Sequence, residues 1–298
     1  MQPVIEIQQL TKDYGGHKGV FDISFSVSAG EVFGFLGPNG AGKTTTIRQL
    51  MGFIRPDGGS CTIGGMDCWK DAAKIQSRVG YIPGEAAFID EMRGKEFLAF
   101  IGKYRGQYNP GRIDALCERF ELDASGKIKK MSKGMKQKVG IVCAFMHDPD
   151  ILVLDEPSSG LDPLMQNRFI ELVLEEKQRG KTVLMSSHIF EEVARTSDRV
   201  GIIKQGELVD VQDTHALKSA KRRVYLVTLQ DMQAAEAFKQ GGFEITSQNG
   251  NQLSVMVEGN VPQFIQRLTQ YPVVDLDVAT QSLEDLFMHH YGGDYHVQ

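Results

Sequence analysis

Nowhere in the 298 residues is there a run of about 18 apolar side chains, so no membrane-spanning helix is expected. The opening Met1-Gln-Pro-Val-Ile-Glu lacks a basic segment leading into an apolar core, which argues against a secretory signal. Cysteine is scarce. Cys61, Cys68, Cys117 and Cys143 show no C-x-x-C spacing and no histidines at metal-ligand spacing, so buried free thiols are expected rather than a metal or redox centre. A strong excess of one charge is missing too. The net charge of −5 gives no general electrostatic case for a nucleic-acid partner, and none is expected. What remains is an ordinary globular composition, 41% hydrophobic and 24% charged. The length suits roughly two domains in a cytosolic protein.

Glycine, by contrast, is placed with purpose. Gly37-Pro38-Asn39-Gly40-Ala41-Gly42-Lys43-Thr44-Thr45 fits G-x-x-x-x-G-K-[ST], a phosphate-cradling loop. Glu31 to Leu36 before it reads as a buried strand, and Thr45 to Met51 after it has helical periodicity without a breaker. Strand, glycine-rich turn and helix is the context that motif requires. Gly37, Gly40 and Gly42 let several N–H groups converge on one concavity, and the helix adds its unpaired N–H groups and positive dipole end. Lys43 is a mobile cation suited to β- and γ-phosphates. Thr44 offers a hydroxyl to Mg²⁺, which favours oxygen ligands.

Val4 to Leu10 and Phe21 to Val27 alternate as half-buried strands, and the loop Thr11 to Gly16 between them carries Tyr14. Antiparallel strands thus precede the loop, and βα alternation follows it. From Phe88 to Phe145 the pattern is helical, with Phe97, Leu98, Phe100 and Ile101 on one apolar face. Ile151 to Leu154 and Thr182 to Ser186 predict buried strands, and Phe169 to Gln178 predicts a helix closed at Gly180. Arg199 to Asp210 reads as a hairpin turning at Gln205-Gly206. After a basic linker, Thr214 to Arg223, a βαββαβ order predicts a small ferredoxin-like α+β domain, ending in a helix at Ser282 to His289. The boundary is placed near residue 218, giving units 1–217 and 218–298, with a helical insert at about 86–147.

The strand Ile151 to Leu154 ends in Asp155-Glu156. A strand end can aim Asp155 at the cation shell and leave Glu156 to orient and deprotonate an attacking water.

On these residues the chain resembles the ATPase subunits of ATP-binding cassette (ABC) transporters, over residues 4 to 215. Gly37 to Thr45 resembles the Walker A loop, Asp155-Glu156 the Walker B acids, and Ser159-Gly-Leu-Asp162 the D-loop. His188 sits just past a strand, as the switch histidine does, and Tyr14 resembles the aromatic that stacks on adenine. Met131-Ser-Lys-Gly-Met135 occupies the place of the Leu-Ser-Gly-Gly-Gln signature, with Ser132 and Gly134 retained. The resemblance implies a P-loop NTPase fold with an antiparallel β subdomain, a RecA-like core and a helical subdomain. It also implies ATP and Mg²⁺ as cofactors, with Lys43, Glu156 and His188 catalytic and Thr44 and Asp155 on the metal. Two copies would close head to tail, each lending Ser132 and Gly134 to the other's ATP, with Asp162 of the D-loop also among the nucleotide-binding residues, beneath a separate membrane permease at the cytoplasmic face.

Some residues keep a plainer reading. His188 could be a satisfied loop histidine and Tyr14 a packing residue, and the lysines at 127, 129, 130, 133, 136 and 138 a solvated basic face rather than an anion attractor. The Q-loop glutamine of the family falls at Gly84, which has no side chain to ligate metal or water. Glu85 either substitutes for it or is a surface acid. Short insert and C-terminal sequence favour an exporter; the competing reading is a soluble ABC ATPase without a permease. The C-terminal domain is expected to be a dimer-supporting platform rather than a ligand sensor.

Overall fold

The computed structural model describes residues 3–214, 222–258 and 261–279, and the chain divides into two compact units on either side of Thr214. The predicted helix at Ser282 to His289 lies outside the described residues. In the first unit, β1 (Ile5–Asp13) and β2 (Gly19–Val27) pair antiparallel. Together with β4 (Gly58–Ile63) and β5 (Met66–Asp67) they form a sheet of order β2-β1-β4-β5. The register of β1 against β2 shifts twice, between Ile7 and Leu10 and between Leu10 and Lys12. The first shift, with Gln9 at φ 48°, returns Leu10 to the buried face that Ile5 and Ile7 occupy.

The second sheet contains β3 (Val32–Leu36), β6 (Val79–Ile82), β7 (Ile151–Asp155), β8 (Thr182–Ser187), β9 (Arg199–Lys204) and β10 (Glu207–Asp213). Its order is β10-β9-β3-β8-β7-β6, parallel throughout except for the β9–β10 hairpin. β3 and β8 are buried at every position, as expected of parallel strands covered on both faces. Phe25 of β2 stacks on Phe33 of β3 with centroids 4.7 Å apart, so the two sheets share one core. Cys61 and Cys68 lie in that core as free thiols, whereas Cys117 and Cys143 are only half-buried.

The helices are α1 (Lys43–Leu50), α2 (Ala72–Arg78), α3 (Gly94–Tyr104), α4 (Pro110–Arg119), α5 (Lys133–Phe145), α6 (Pro163–Gln178) and α7 (Phe190–Thr196). α6 starts at Pro163, well before the apolar periodicity at Phe169. Asp162 caps it, accepting from Met165 N at 3.0 Å, and Pro163 supplies a pre-set φ at the first helical position.

The second unit has β11 (Arg222–Leu229), α8 (Met232–Lys239), β12 (Glu244–Asn249), β13 (Gln252–Glu258), α9 (Val261–Leu268) and β14 (Val273–Ala279). Its antiparallel sheet runs β12-β13-β11-β14, and Val227, Phe238, Val255 and Phe264 fill a separate core. Among the described residues no helix is long and apolar enough to cross a membrane, and no cluster of His, Cys, Asp and Glu could by itself hold a metal ion.

The helical insert is tied to the parallel sheet at its narrow ends. Arg105, which closes α3, donates to Gln76 O at 3.1 Å and Val79 O at 3.3 Å and meets His147 Nε2 at 3.1 Å. Burial first, and the Arg105 charge second, push the His147 imidazole down to about 4. A histidine held below its ordinary value binds a proton more readily unfolded than folded, so stability is lost as pH falls from 6.5 towards 4. His147→Gln removes that dependence. Urea midpoints at pH 7.5 and pH 4.5 should therefore fall less in the variant than in the wild type.

Candidate active site of a nucleotide hydrolase

The backbone registers gather the site. Leu36 of β3 pairs with Ser187 of β8, and Asp155 of β7 pairs with Ser186 of the same strand. The glycine-rich loop, the two acids and His188 therefore leave one edge of the sheet side by side, at the carboxyl ends of parallel strands where α/β folds place ligands. Gly42 closes the loop at φ 110°, and a Cβ there would lie 2.5 Å from Val20 Cγ1, so only glycine brings the turn this close to β2. The turn is braced by Gly37 N donating to Ser187 O, Ala41 N to Pro38 O and Gly206 N to Ala41 O.

A cleft of about 590 Å³ opens above α1. Tyr14, Asn39, Gly40, Gly42, Lys43, Thr44, Thr45 and Glu156 line it, and so do His17, Lys18, Gly19 and Gln205. Tyr14 is half-exposed at its mouth with the Lys12 ammonium 5.8 Å above the ring. Lys43 is buried; its Nζ donates to Gly37 O at 2.5 Å and Pro38 O at 3.1 Å and pairs with Glu156 Oε1 at 3.0 Å.

Glu156 is the hub. Its other oxygen lies 2.6 Å from His188 Nδ1, and its backbone sits at φ 48°, a region that non-glycine residues avoid. Glu156 N is held by Ser186 Oγ at 3.0 Å, and the same hydroxyl donates to Asp155 Oδ1 at 2.5 Å. Asp155 is wholly buried, and its Oδ2 has no partner among the described residues. That carboxylate is felt by Tyr81, whose phenol is pushed up to about 12 by burial first and by the Asp155 charge second. Asp155 Oδ2 and Thr44 Oγ1 lie 2.8 and 3.6 Å from where a Cβ on Gly84 would stand. A hydroxyl and an unpartnered buried carboxylate oxygen facing one small space fit a hard cation, with phosphate oxygens completing its shell.

Residues 20–159 match the family profile described as ABC transporter. The chain is 34% identical to the bacitracin transport ATP-binding protein BcrA of Bacillus licheniformis over 98% of its own length and 99% of that protein's. It is 38% identical to the linearmycin resistance ATP-binding protein LnrL of Bacillus subtilis, over 70% of this chain and 68% of that one. A solved structure of the ATP-binding subunit of an ABC transporter superposes with TM-score 0.66 at 30% identity, over 72% of this chain and 92% of that chain. A dimeric bacterial cassette aligns with TM-score 0.64 at 24% identity, over 70% and 98%. The chain belongs to the ABC transporter ATP-binding family. Its activity is ATP hydrolysis.

Three of the expected site residues lie away from the cleft. Ser132 caps α5, accepting from Met135 N at 3.2 Å, and Gly134 packs so near the D-loop that a Cβ would fall 2.8 Å from Gly160 O. Asp162 is engaged as the cap of α6. None of the three lines the cleft. Three of the six lysines around Ser132 are paired with acids. Lys127 and Lys129 pair with Glu91 at 3.0 and 2.6 Å, and Lys136 reaches Asp90 at 3.5 Å.

Several supporting residues escaped the sequence reading. Gln137 of α5 donates to Pro157 O at 2.7 Å, tying the signature helix to the segment after the acids. Glu192, buried on α7, accepts from Ser187 Oγ at 2.7 Å, and burial raises its carboxyl above the usual range. Neither position carries a motif. Ser186 is equally unmarked, yet it orders both acids. Ser186→Ala leaves the buried Asp155 carboxylate without its hydroxyl donor. Loss of such a charge-assisted bond costs about 2 kcal/mol, to be read from urea denaturation, with hydrolysis falling alongside.

Proposed function

We propose that this chain is the ATP-hydrolysing subunit of an export-type ABC transporter, working as a head-to-tail pair beneath a separate membrane permease at the cytoplasmic face. The observation that carries this is the Glu156 carboxylate, held between Lys43 and His188 at the rim of the phosphate loop. A γ-phosphate entering the loop competes with Glu156 for the Lys43 ammonium. The freed carboxylate accepts a proton from water as the water oxygen bonds to the γ-phosphorus and the bond to the β-phosphate oxygen breaks, giving ADP and phosphate. His188, held at Nδ1 by Glu156, keeps its other ring nitrogen for the phosphate. Thr44 and Asp155 would hold Mg²⁺, which draws charge from the β- and γ-phosphates when bound.

The pairing rests on where the remaining residues lie. Ser132 and Gly134 stand at the start of α5, away from their own cleft, with helix N–H groups suited to an anion. A second copy would bring them to this ATP, with Asp162 at the seam. The permease needs an apolar landing face. Phe100 and Tyr104 stack on α3, and exposed Phe53 packs on Tyr81 of β6, where Arg105 joins the two regions. Relatives named for bacitracin transport and linearmycin resistance support export of a peptide antibiotic or drug over a soluble role. The second unit carries none of these residues, and its assigned role is to support the pair.

Glu156→Gln should keep ATP binding and lower hydrolysis at least about 100-fold, accumulating dimer on size exclusion with ATP; hydrolysis at the normal rate would sink the base assignment. Ser132→Arg mixed with wild type should lose activity in the partner's site. Mixed pairs that lose nothing would refute the shared site.

A further inference from the structure

Gly84 is glycine for a reason other than its backbone. Its φ is not among the positive values, so the main chain there would accept any residue. What forbids a side chain is space. A Cβ would stand 2.8 Å from Asp155 Oδ2, closer than real Cβ atoms come, and 3.2 Å from Asp155 Cγ, a tight contact. It would project towards Thr44 Oγ1, 3.6 Å away. The carboxylate cannot readily turn aside, because Asp155 is wholly buried and its Oδ1 is held by the Ser186 hydroxyl. The oxygen facing Gly84 is the one without a partner. The next residue does not fill the gap either, since Glu85 is exposed.

We propose that Gly84 keeps this space open for water, so that a solvent oxygen rather than a protein side chain completes the cation's shell on the side facing residues 83–85. This rests on the reading of Thr44 and Asp155 as the cation's holders. Mg²⁺ gives up its waters reluctantly and is commonly bound by few protein oxygens together with phosphates, so a water-filled place is chemically sufficient. The gap suits an oxygen better than a carbon: 2.8 Å from Asp155 Oδ2 is too close for a methyl group but is a normal hydrogen-bond distance for water. Gly84 is a positioning residue by omission.

The test uses the full chain with Mn²⁺ and a non-hydrolysable ATP analogue. Mn²⁺ affinity and the number of bound waters are read by electron spin resonance in H₂O and D₂O. Gly84→Ala should bind Mn²⁺ at least tenfold more weakly or with one water fewer, while binding the analogue normally in chelator. Glu85→Ala should match the wild type in both measures. Unchanged affinity and water number in Gly84→Ala would overturn the proposal, and so would a gain of water in Glu85→Ala, which would make Glu85 a ligand. A wild type that binds the analogue but no Mn²⁺ would overturn the cation assignment itself, a result distinct from either.

Discussion

The parallel hydrogen-bond register of β3, β8 and β7 is the constraint on which the site depends. Leu36 opposite Ser187, and Asp155 opposite Ser186, set three chain segments at one sheet edge although they are far apart in sequence. A slip of one residue in either pairing would turn every side chain of the moved strand to the opposite face. The register is secured by burial. β3 and β8 are buried at every position and covered on both sides, so any displacement would strip core contacts from both layers.

At that edge the electrostatics are closed upon themselves. Lys43 is buried with an acid and two carbonyl oxygens, and that acid also holds His188. Such a compact group is costly to leave unpaired and can exchange partners at little net cost when a phosphate enters, because one anion replaces another beside the same cation. Ser186 performs the quieter task. One hydroxyl orders both the Asp155 carboxylate and the Glu156 backbone, so the two acids are positioned together.

Ser132, Gly134 and Asp162 stand outside the cleft that holds the phosphate loop. Ser132 and Gly134 pack against the D-loop of their own subunit, and Gln137 links that helix to the carbonyl after the acids. The helix is thus joined to the segment carrying Glu156 by the Gln137 side-chain amide. Asp162, marked by the D-loop motif, serves its own subunit as a helix cap, a local role compatible with a seam position.

The sequence by itself determined the cassette fold, the phosphate loop and the two acids, because these depend on local spacing: glycines where the backbone must turn tightly, apolar runs where strands are covered, acids at a strand end. It also marked the βαββαβ order of the second unit, whose turns and alternation are local signals. It misplaced the start of α6, since the Asp162-Pro163 cap lies outside the apolar periodicity used to find the helix. Only the tertiary structure decided what has no local signature. It showed that Lys127, Lys129 and Lys136 are paired with Glu91 and Asp90, that Ser186, Gln137 and buried Glu192 brace the centre, and that Gly84 abuts the free oxygen of Asp155. Those facts concern which distant segments touch. Touching is settled by packing and register across the sheet, and spacing along the chain carries no record of it.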